Sequence, residues 1–173
     1  LDSNKPIGFI GENYQRFYIH LISVIQNQNN KLEYFVYGKT KVKSNICSFQ
    51  GTIKITEALT YLESEIPSIT QGYIRGEYEF FENHNQKSGG VLKGTFLSEF
   101  FINKSKEIKY DDIMLNADGY KNNQFEGVWT SYNTSKSKKC NWGDYRIPNS
   151  SDLDFGAGEF SVSEKYISNG WLS

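Results

Sequence analysis

A short pattern, apolar-x-Gly-x-apolar, occurs four times along this chain of 173 residues, centred on Gly51, Gly76, Gly94 and Gly127. Because residues two apart on a β-strand share a face, each copy places one Gly between two large side chains on the same face. Gly weakens the interior of a strand, so its repeated use indicates a geometric requirement, such as a tight bend or the close approach of another group. The repeat therefore predicts strongly curved strands.

The composition agrees with a β-sheet. Aromatic residues make up 16% of the chain, and aromatic and β-branched side chains favour strands. Alternating apolar segments separated by turn clusters predict about eight strands. Closing such a sheet removes the edges through which it would otherwise aggregate. The sequence thus predicts one soluble all-β domain over residues 1–173, folded as an antiparallel up-and-down barrel.

Three segments are predicted to lie outside the barrel strands. Residues 1–13 are mostly polar and form a predicted lead-in. Residues 148–173 are rich in Ser, Asp and Gly and form a predicted irregular tail, with a helical turn near 164–167. One short helix is predicted over 57–66. That helix prediction rests on apolar residues at helical spacing, namely Ala58, Leu59, Leu62 and Ile66.

The Gly-centred strands resemble those of calycin-like up-and-down barrels of the lipocalin and avidin type. The resemblance rests on the four five-residue motifs and implies a barrel architecture that binds a small ligand. The chain departs from lipocalins in one respect. Their Gly-x-Trp near the start of the barrel occurs here only late, at Gly127-Val128-Trp129. No set of biotin-contacting residues matches either.

The inward face of the predicted barrel is the first candidate site. Its side chains either fill the core or leave room beside the glycines for one small ligand. The leading hypothesis is a non-enzymatic binding protein that holds a small apolar molecule inside the barrel or at its mouth. The candidate residues are Phe49, Ile53, Tyr78, Phe80, Phe96, Phe100 and Trp129.

A second hypothesis is a protein–protein interaction module, such as an inhibitor or immunity-type factor. Trp, Tyr and Arg are enriched at the energetic centres of interfaces. The segment 132–146 interleaves such residues with lysines, and a solvated turn beside ordinary strand aromatics is the alternative interpretation. The candidate partner-binding residues are Tyr132, Lys138, Lys139, Trp142, Tyr145 and Arg146.

A third hypothesis is a barrel enzyme whose carboxylates Asp111, Asp112 and Asp144 perform acid–base chemistry. It has less support, because no Gly-x-Ser-x-Gly or Cys/His pairing indicates a nucleophile. His20 and His84 lie too far apart in sequence to show metal-ligand spacing. The sequence therefore predicts no metal site and no cofactor.

The net charge, the two cysteines and the first residue of the chain indicate which partners and which cellular compartment to expect. The net charge of −1 favours neither nucleic acid nor an anionic membrane as a partner, and no apolar run is long enough for a transmembrane helix. Cys47 and Cys140 either form one disulfide in an oxidising compartment or remain free thiols. The chain begins at Leu1 and its one Met is Met114. We therefore expect an exported protein, periplasmic, cell-surface or secreted, although trimming alone also explains this start.

Overall fold

The computed structural model describes residues 5–172, which contain nine β-strands and two short 3-10 helices. The 3-10 helices span Ser151–Leu153 and Glu164–Asn169, and the second contains the predicted helical turn. No helix in this part of the chain has the length and apolarity needed to span a membrane. The strands are β1 (Ile7–Ile10), β2 (Gln15–Asn27), β3 (Asn30–Val42), β4 (Asn45–Thr60), β5 (Thr70–Glu82), β6 (Gly90–Ile102), β7 (Ile108–Tyr110), β8 (Asn122–Ser131) and β9 (Ser137–Asp144).

Eight of the strands form a closed antiparallel ring. Its order is β1-β2-β3-β4-β5-β6-β8-β9, and β9 pairs again with β1. The remaining strand, β7, pairs with the last residues of β6, where Tyr110 lies opposite Phe100. Apart from this insertion, neighbours in the ring are neighbours in the sequence. The structure confirms the predicted all-β, antiparallel up-and-down barrel.

The ring closes through β1, and this corrects the prediction of a lead-in over residues 1–13. Gly8 of β1 lies opposite Phe17 of β2 on one side and Trp142 of β9 on the other. Phe9 is fully buried and Ile10 is nearly so. Three apolar side chains in a four-residue strand suffice here because β1 is paired along both of its edges. Residues 1–4 lie outside the described residues.

The helix predicted over 57–66 is wrong. Strand β4 continues to Thr60, and a register shift between Ile55 and Glu57 realigns it so that Ala58 lies opposite Ile74. Residues 61–66 then form an irregular segment with bends at residues 62, 63, 65 and 66. The apolar residues have helical spacing, but the segment pairs with β5 instead, because the continued antiparallel ladder satisfies its backbone donors and acceptors.

The main core lies inside the ring and is dominated by aromatic side chains. The Trp142 ring is stacked on Phe125 at a centroid separation of 4.9 Å and meets Tyr78 edge-on at 5.0 Å. Phe49 and Phe80 are stacked at 4.8 Å. The buried cluster comprises Ile10, Phe17, Ile19, Val36, Phe49, Tyr78, Phe80, Leu92, Phe96, Phe125, Cys140 and Trp142.

Two of the repeated glycines show why the motif exists. Gly94 of β6 and Gly127 of β8 lie directly opposite each other. A Cβ atom on Gly94 would overlap the carbonyl oxygen of Glu126, and one on Gly127 would overlap the Tyr78 hydroxyl. The glycines thus allow two backbones and one large inward side chain to approach closely, which is one of the geometric requirements predicted from the repeat.

The C-terminal tail is irregular, as predicted, and it packs against the barrel. A second core cluster joins Phe9 of β1 to Ile147, just before the tail, and to Leu153 and Tyr166 of the tail. The Trp171 indole N–H donates a 2.7 Å hydrogen bond to the carbonyl oxygen of residue 14. The tail therefore buries one side of β1 and supports the strand that closes the ring.

We call the end of the barrel at which β2 terminates the wide end, and the opposite end the narrow end. Strand β1 pairs with β2 only over Gln15–Phe17. Among the described residues, the second half of β2 therefore pairs only with β3. Apolar side chains there remain substantially exposed, and Ile25 reaches 63%. The exposed members on β2 and β3 include Ile22, Val24, Ile25, Leu32 and Phe35.

Candidate functional site

Four chain reversals meet at the narrow end of the barrel. They join β1 to β2, β3 to β4, β5 to β6 and β8 to β9. They surround an open cavity of about 490 Å³, which we call the cup. Small-molecule sites commonly have volumes of roughly 300–1,000 Å³. Its wall includes Ile10, Phe17, Thr40, Val42, Glu82 and Trp129.

The cup has an apolar wall drawn from four strands. Ile10 and Phe17 are buried, while Val42 and Trp129 are half-buried beside the same core cluster. These residues come from β1, β2, β3 and β8, whose inward faces meet at this end of the barrel. The cup is therefore continuous with the core and offers an apolar surface to a molecule that enters it.

One ionisable side chain lines the cup from a buried position. Glu82 is only 5% exposed. Its Oε2 accepts hydrogen bonds from the Gly90 amide at 2.9 Å and from the Trp129 indole N–H at 2.8 Å, and its Oε1 accepts one from the Thr40 hydroxyl. None of the ion pairs among residues 5–172 includes Glu82. Uncharged donors alone hold this carboxylate in place.

The rim of the cup carries charges of both signs. Glu12, Lys43 and Lys138 line the cup and are exposed. The Lys138 ammonium lies 6.0 Å from the centroid of the Trp129 ring, within reach of a weak cation–π contact. Solvent and salt screen charges at such exposed positions. The electrostatic character of the inner cup is therefore set mainly by Glu82.

The structure places most of the predicted interior residues below the cup. Phe49, Tyr78, Phe80 and Phe96 are at most 6% exposed, and Tyr78 and Phe80 pack at 5.1 Å. Ile53 and Phe100 are half-buried further toward the wide end. The tight set of aromatic rings fills the middle of the barrel. Of the seven predicted residues, only Trp129 lines the cup.

The two cysteines are buried and free, so the predicted alternative of a Cys47–Cys140 disulfide is wrong. Burial raises the pKa of both thiols, and the negative charge of Glu82 adds to that effect. Reaction requires the thiolate form. Both side chains therefore serve as small apolar core groups rather than as nucleophiles.

The predicted partner-binding patch over 132–146 does not form one surface. Trp142 is 3% exposed and belongs to the core. Tyr132 follows β8 at the narrow end, where its ring stacks on His84 at 3.7 Å, whereas Tyr145 follows β9 at the wide end. The prediction of a single patch is wrong because β9 runs the length of the barrel and alternates between its two faces.

The cationic members of that predicted patch also separate. Lys138 and Lys139 are exposed near the start of β9. Arg146 lies beyond its end, where the guanidinium pairs with Asp154 at 2.7 Å and donates to the Gly156 carbonyl oxygen at 3.0 Å. This ion pair anchors the C-terminal tail, so the Arg146 side chain has a structural partner within the chain.

The carboxylates of the third hypothesis lie at the wide end, and two of them join a polar network. Asp111 accepts a 2.7 Å hydrogen bond from the Gln71 amide. Asp144 accepts 3.0 Å and 2.7 Å hydrogen bonds from the Tyr110 hydroxyl and the Asn123 amide. Asp112 is exposed and stands apart. Donors within the chain thus satisfy both buried carboxylates.

Burial at the wide end predicts a pH dependence of stability. The pKa of Glu99 is raised, first by burial and then by the charge of Asp111. The folded state therefore binds this proton more tightly than the unfolded state, and stability falls as pH rises from the ordinary glutamate pKa of about 4.3 through the raised folded pKa. We expect Glu99→Gln to gain stability relative to wild type across that window, measured by urea unfolding.

Glu107 provides a control for which stability should change with pH in the opposite direction. Hydrogen bonds from Asn103 and Lys109 lower its pKa, so the stability that its carboxylate contributes is lost as pH falls through the folded pKa. Glu107→Gln should therefore lose stability relative to wild type as pH rises through the window just below the ordinary pKa. If the unfolding free energies of Glu99→Gln and wild type differed by the same amount at every pH, the raised pKa of Glu99 would be contradicted.

Glu82 is the main site residue that sequence interpretation missed. It continues the inward face of β5 through Gly76, Tyr78 and Phe80, two residues at a time. A charged side chain on an otherwise apolar inward face was the available signal. Thr40, Phe17 and Val42 carried no comparable signal, because their approach to Glu82 depends on pairing between separate strands.

Comparison of the chain with protein-family models, with curated proteins and with solved structures finds no match. The resemblance to calycin-like barrels therefore stays a prediction.

Proposed function

We propose that this protein is a non-enzymatic binding protein that holds a small, largely apolar molecule in the cup. The observation that carries the proposal is the cavity of about 490 Å³ at the narrow end of the barrel. Ligand sites are typically concave and mostly apolar, with a few placed polar groups. The cup combines an apolar wall with the buried polar side chains of Thr40 and Glu82.

The mouth of the barrel suits this role better than its interior. Phe49, Phe80, Tyr78 and Phe125 contact one another at ring separations of 4.8 to 5.5 Å. A ligand within that set would have to displace packed aromatic rings, whereas the cup is open without any such change. The proposal therefore assigns the interior aromatics to stability and the cup to binding.

A cup-filling substitution tests the proposal. Val42 is half-buried on the cup wall, so the larger indole of Val42→Trp should occupy the cavity. Wild type should bind the neutral reporter N-phenyl-1-naphthylamine with a rise in the reporter's fluorescence. We expect the variant to bind it at least about tenfold more weakly, which corresponds to roughly 1.4 kcal/mol.

The matched control is Val128→Trp on the outer face of β8, where Val128 is 43% exposed. This variant should bind the reporter as wild type does, and both variants should keep the far-ultraviolet circular dichroism of a folded β protein. Wild-type affinity in Val42→Trp would contradict the proposal, as would absence of reporter binding to the wild-type protein.

A further inference from the structure

We infer that the cup selects molecules carrying a positively charged ammonium group, which the Glu82 carboxylate recognises; the inference rests on the proposed binding function. It follows from the placement of one buried anion on the wall of an open cavity. Glu82 is 5% exposed, lines the cup, and forms no ion pair with any residue between 5 and 172. Burying a charge is unfavourable unless it is paired and hydrogen-bonded.

The hydrogen bonds of Glu82 leave part of its acceptor capacity unused. The Gly90 amide and the Trp129 indole N–H can only donate, and both point at Oε2. The Thr40 hydroxyl donates to Oε1. A carboxylate has about four acceptor positions, so three donors leave one position for a further donor. A ligand ammonium would supply both that donor and the missing positive charge.

The Trp129 ring adds a second preference for a cation. Its indole N–H is bonded to Glu82, which places the ring beside the carboxylate. Within the chain itself, the Lys138 ammonium already approaches this ring to 6.0 Å from its centroid. Aromatic faces attract ammonium groups, most strongly where water is excluded. Carboxylate and ring together form a cation-binding corner against the apolar wall.

An anionic ligand fits the cup less well. The two cations on its lining, Lys43 and Lys138, are exposed on the rim, where solvent weakens ion pairs. An anion placed deeper would approach the carboxylate of Glu82, and repulsion between like charges strengthens as the surroundings become less polar. The cup therefore favours an amphipathic amine with its ammonium group inward and its apolar body along Phe17 and Val42.

A displacement experiment tests the inference. Three competitors with the same six-carbon chain, hexylamine, 1-hexanol and hexanoate, would be titrated against bound N-phenyl-1-naphthylamine at neutral pH. On wild type we expect hexylamine to displace the reporter at a concentration about tenfold lower than 1-hexanol, with hexanoate weakest. In Glu82→Gln, which keeps an oxygen acceptor, the hexylamine and 1-hexanol values should converge.

The outcomes separate this inference from the proposed function. If the reporter binds wild type but the three competitors act equally, or hexanoate acts best, the ammonium preference is overturned and the binding proposal stands. If the reporter does not bind wild type, the binding proposal itself fails. Should Glu82→Gln not fold or not bind the reporter, N-hexylacetamide, which has the same six-carbon chain on an uncharged nitrogen, provides the second test on wild type. It should displace the reporter only at a concentration about tenfold higher than hexylamine, and equal displacement by the two compounds would overturn the inference.

Discussion

Replacing Gly94 with Val is expected to prevent the barrel from forming. The Cβ of any larger residue there would overlap the carbonyl oxygen of Glu126 on β8, and Gly127 lies directly opposite. Removing this overlap would require β6 and β8 to separate, which would break the hydrogen-bonded ladder between these two strands and open the ring. We expect a loss of more than about 4 kcal/mol in the free energy of unfolding, beyond the usual range for single substitutions.

The neighbouring residue provides the matched control. Thr95 is exposed on the outer face of β6, so Thr95→Val adds a β-branched apolar side chain without entering the interior. It should change the unfolding free energy by about 0.5 kcal/mol or less in urea titrations. A Gly94→Val protein as stable as Thr95→Val would contradict the close approach of β6 and β8.

Replacing Phe80 with Ala is expected to destabilise the protein by about 3–5 kcal/mol. Phe80 is fully buried, and its ring is stacked on Phe49 at 4.8 Å and packs on Tyr78 at 5.1 Å. Truncation would leave a cavity among rigid aromatic rings that cannot collapse around it. Thermal or urea unfolding of purified variants measures the effect directly.

The adjacent position again separates burial from residue type. Phe81 lies on the opposite face of β5 and is 44% exposed, so Phe81→Ala should lower the unfolding free energy by about 1 kcal/mol or less. Equal losses at the two positions would mean that β5 does not alternate between core and surface as described. The comparison therefore tests the inward face that also carries Glu82.

Much of the architecture could be predicted because strand signals are local. The period of two places Tyr78 and Phe80 on one face from their spacing alone, and the glycine repeat indicates curvature within each strand, independently of how the strands pair. The prediction failed where tertiary pairing competed with a local pattern. The segment 57–66 has helical spacing, yet a register shift in β4 keeps Ala58 in a ladder with β5.

The candidate site was harder to predict than the fold. Trp129 was predicted as an inward residue, but its partner Glu82 was not recognised as part of a site. Forty-seven positions separate the two residues whose side chains share the 2.8 Å hydrogen bond. A contact between residues so far apart in the sequence depends on the combined register of β5, β6 and β8, and no local sequence pattern encodes that register.

The sequence by itself determined that this protein is an aromatic, strongly curved antiparallel barrel, because side-chain alternation and glycine placement act within single strands. Only the tertiary structure decided that four of the predicted inward aromatics fill the barrel and that an open cavity lies at its narrow end. It also decided that Trp142 is core rather than surface, that β1 closes the ring, and that both thiols stay free. These outcomes depend on which distant strands meet and in what register, and that is set by the packing of the whole chain.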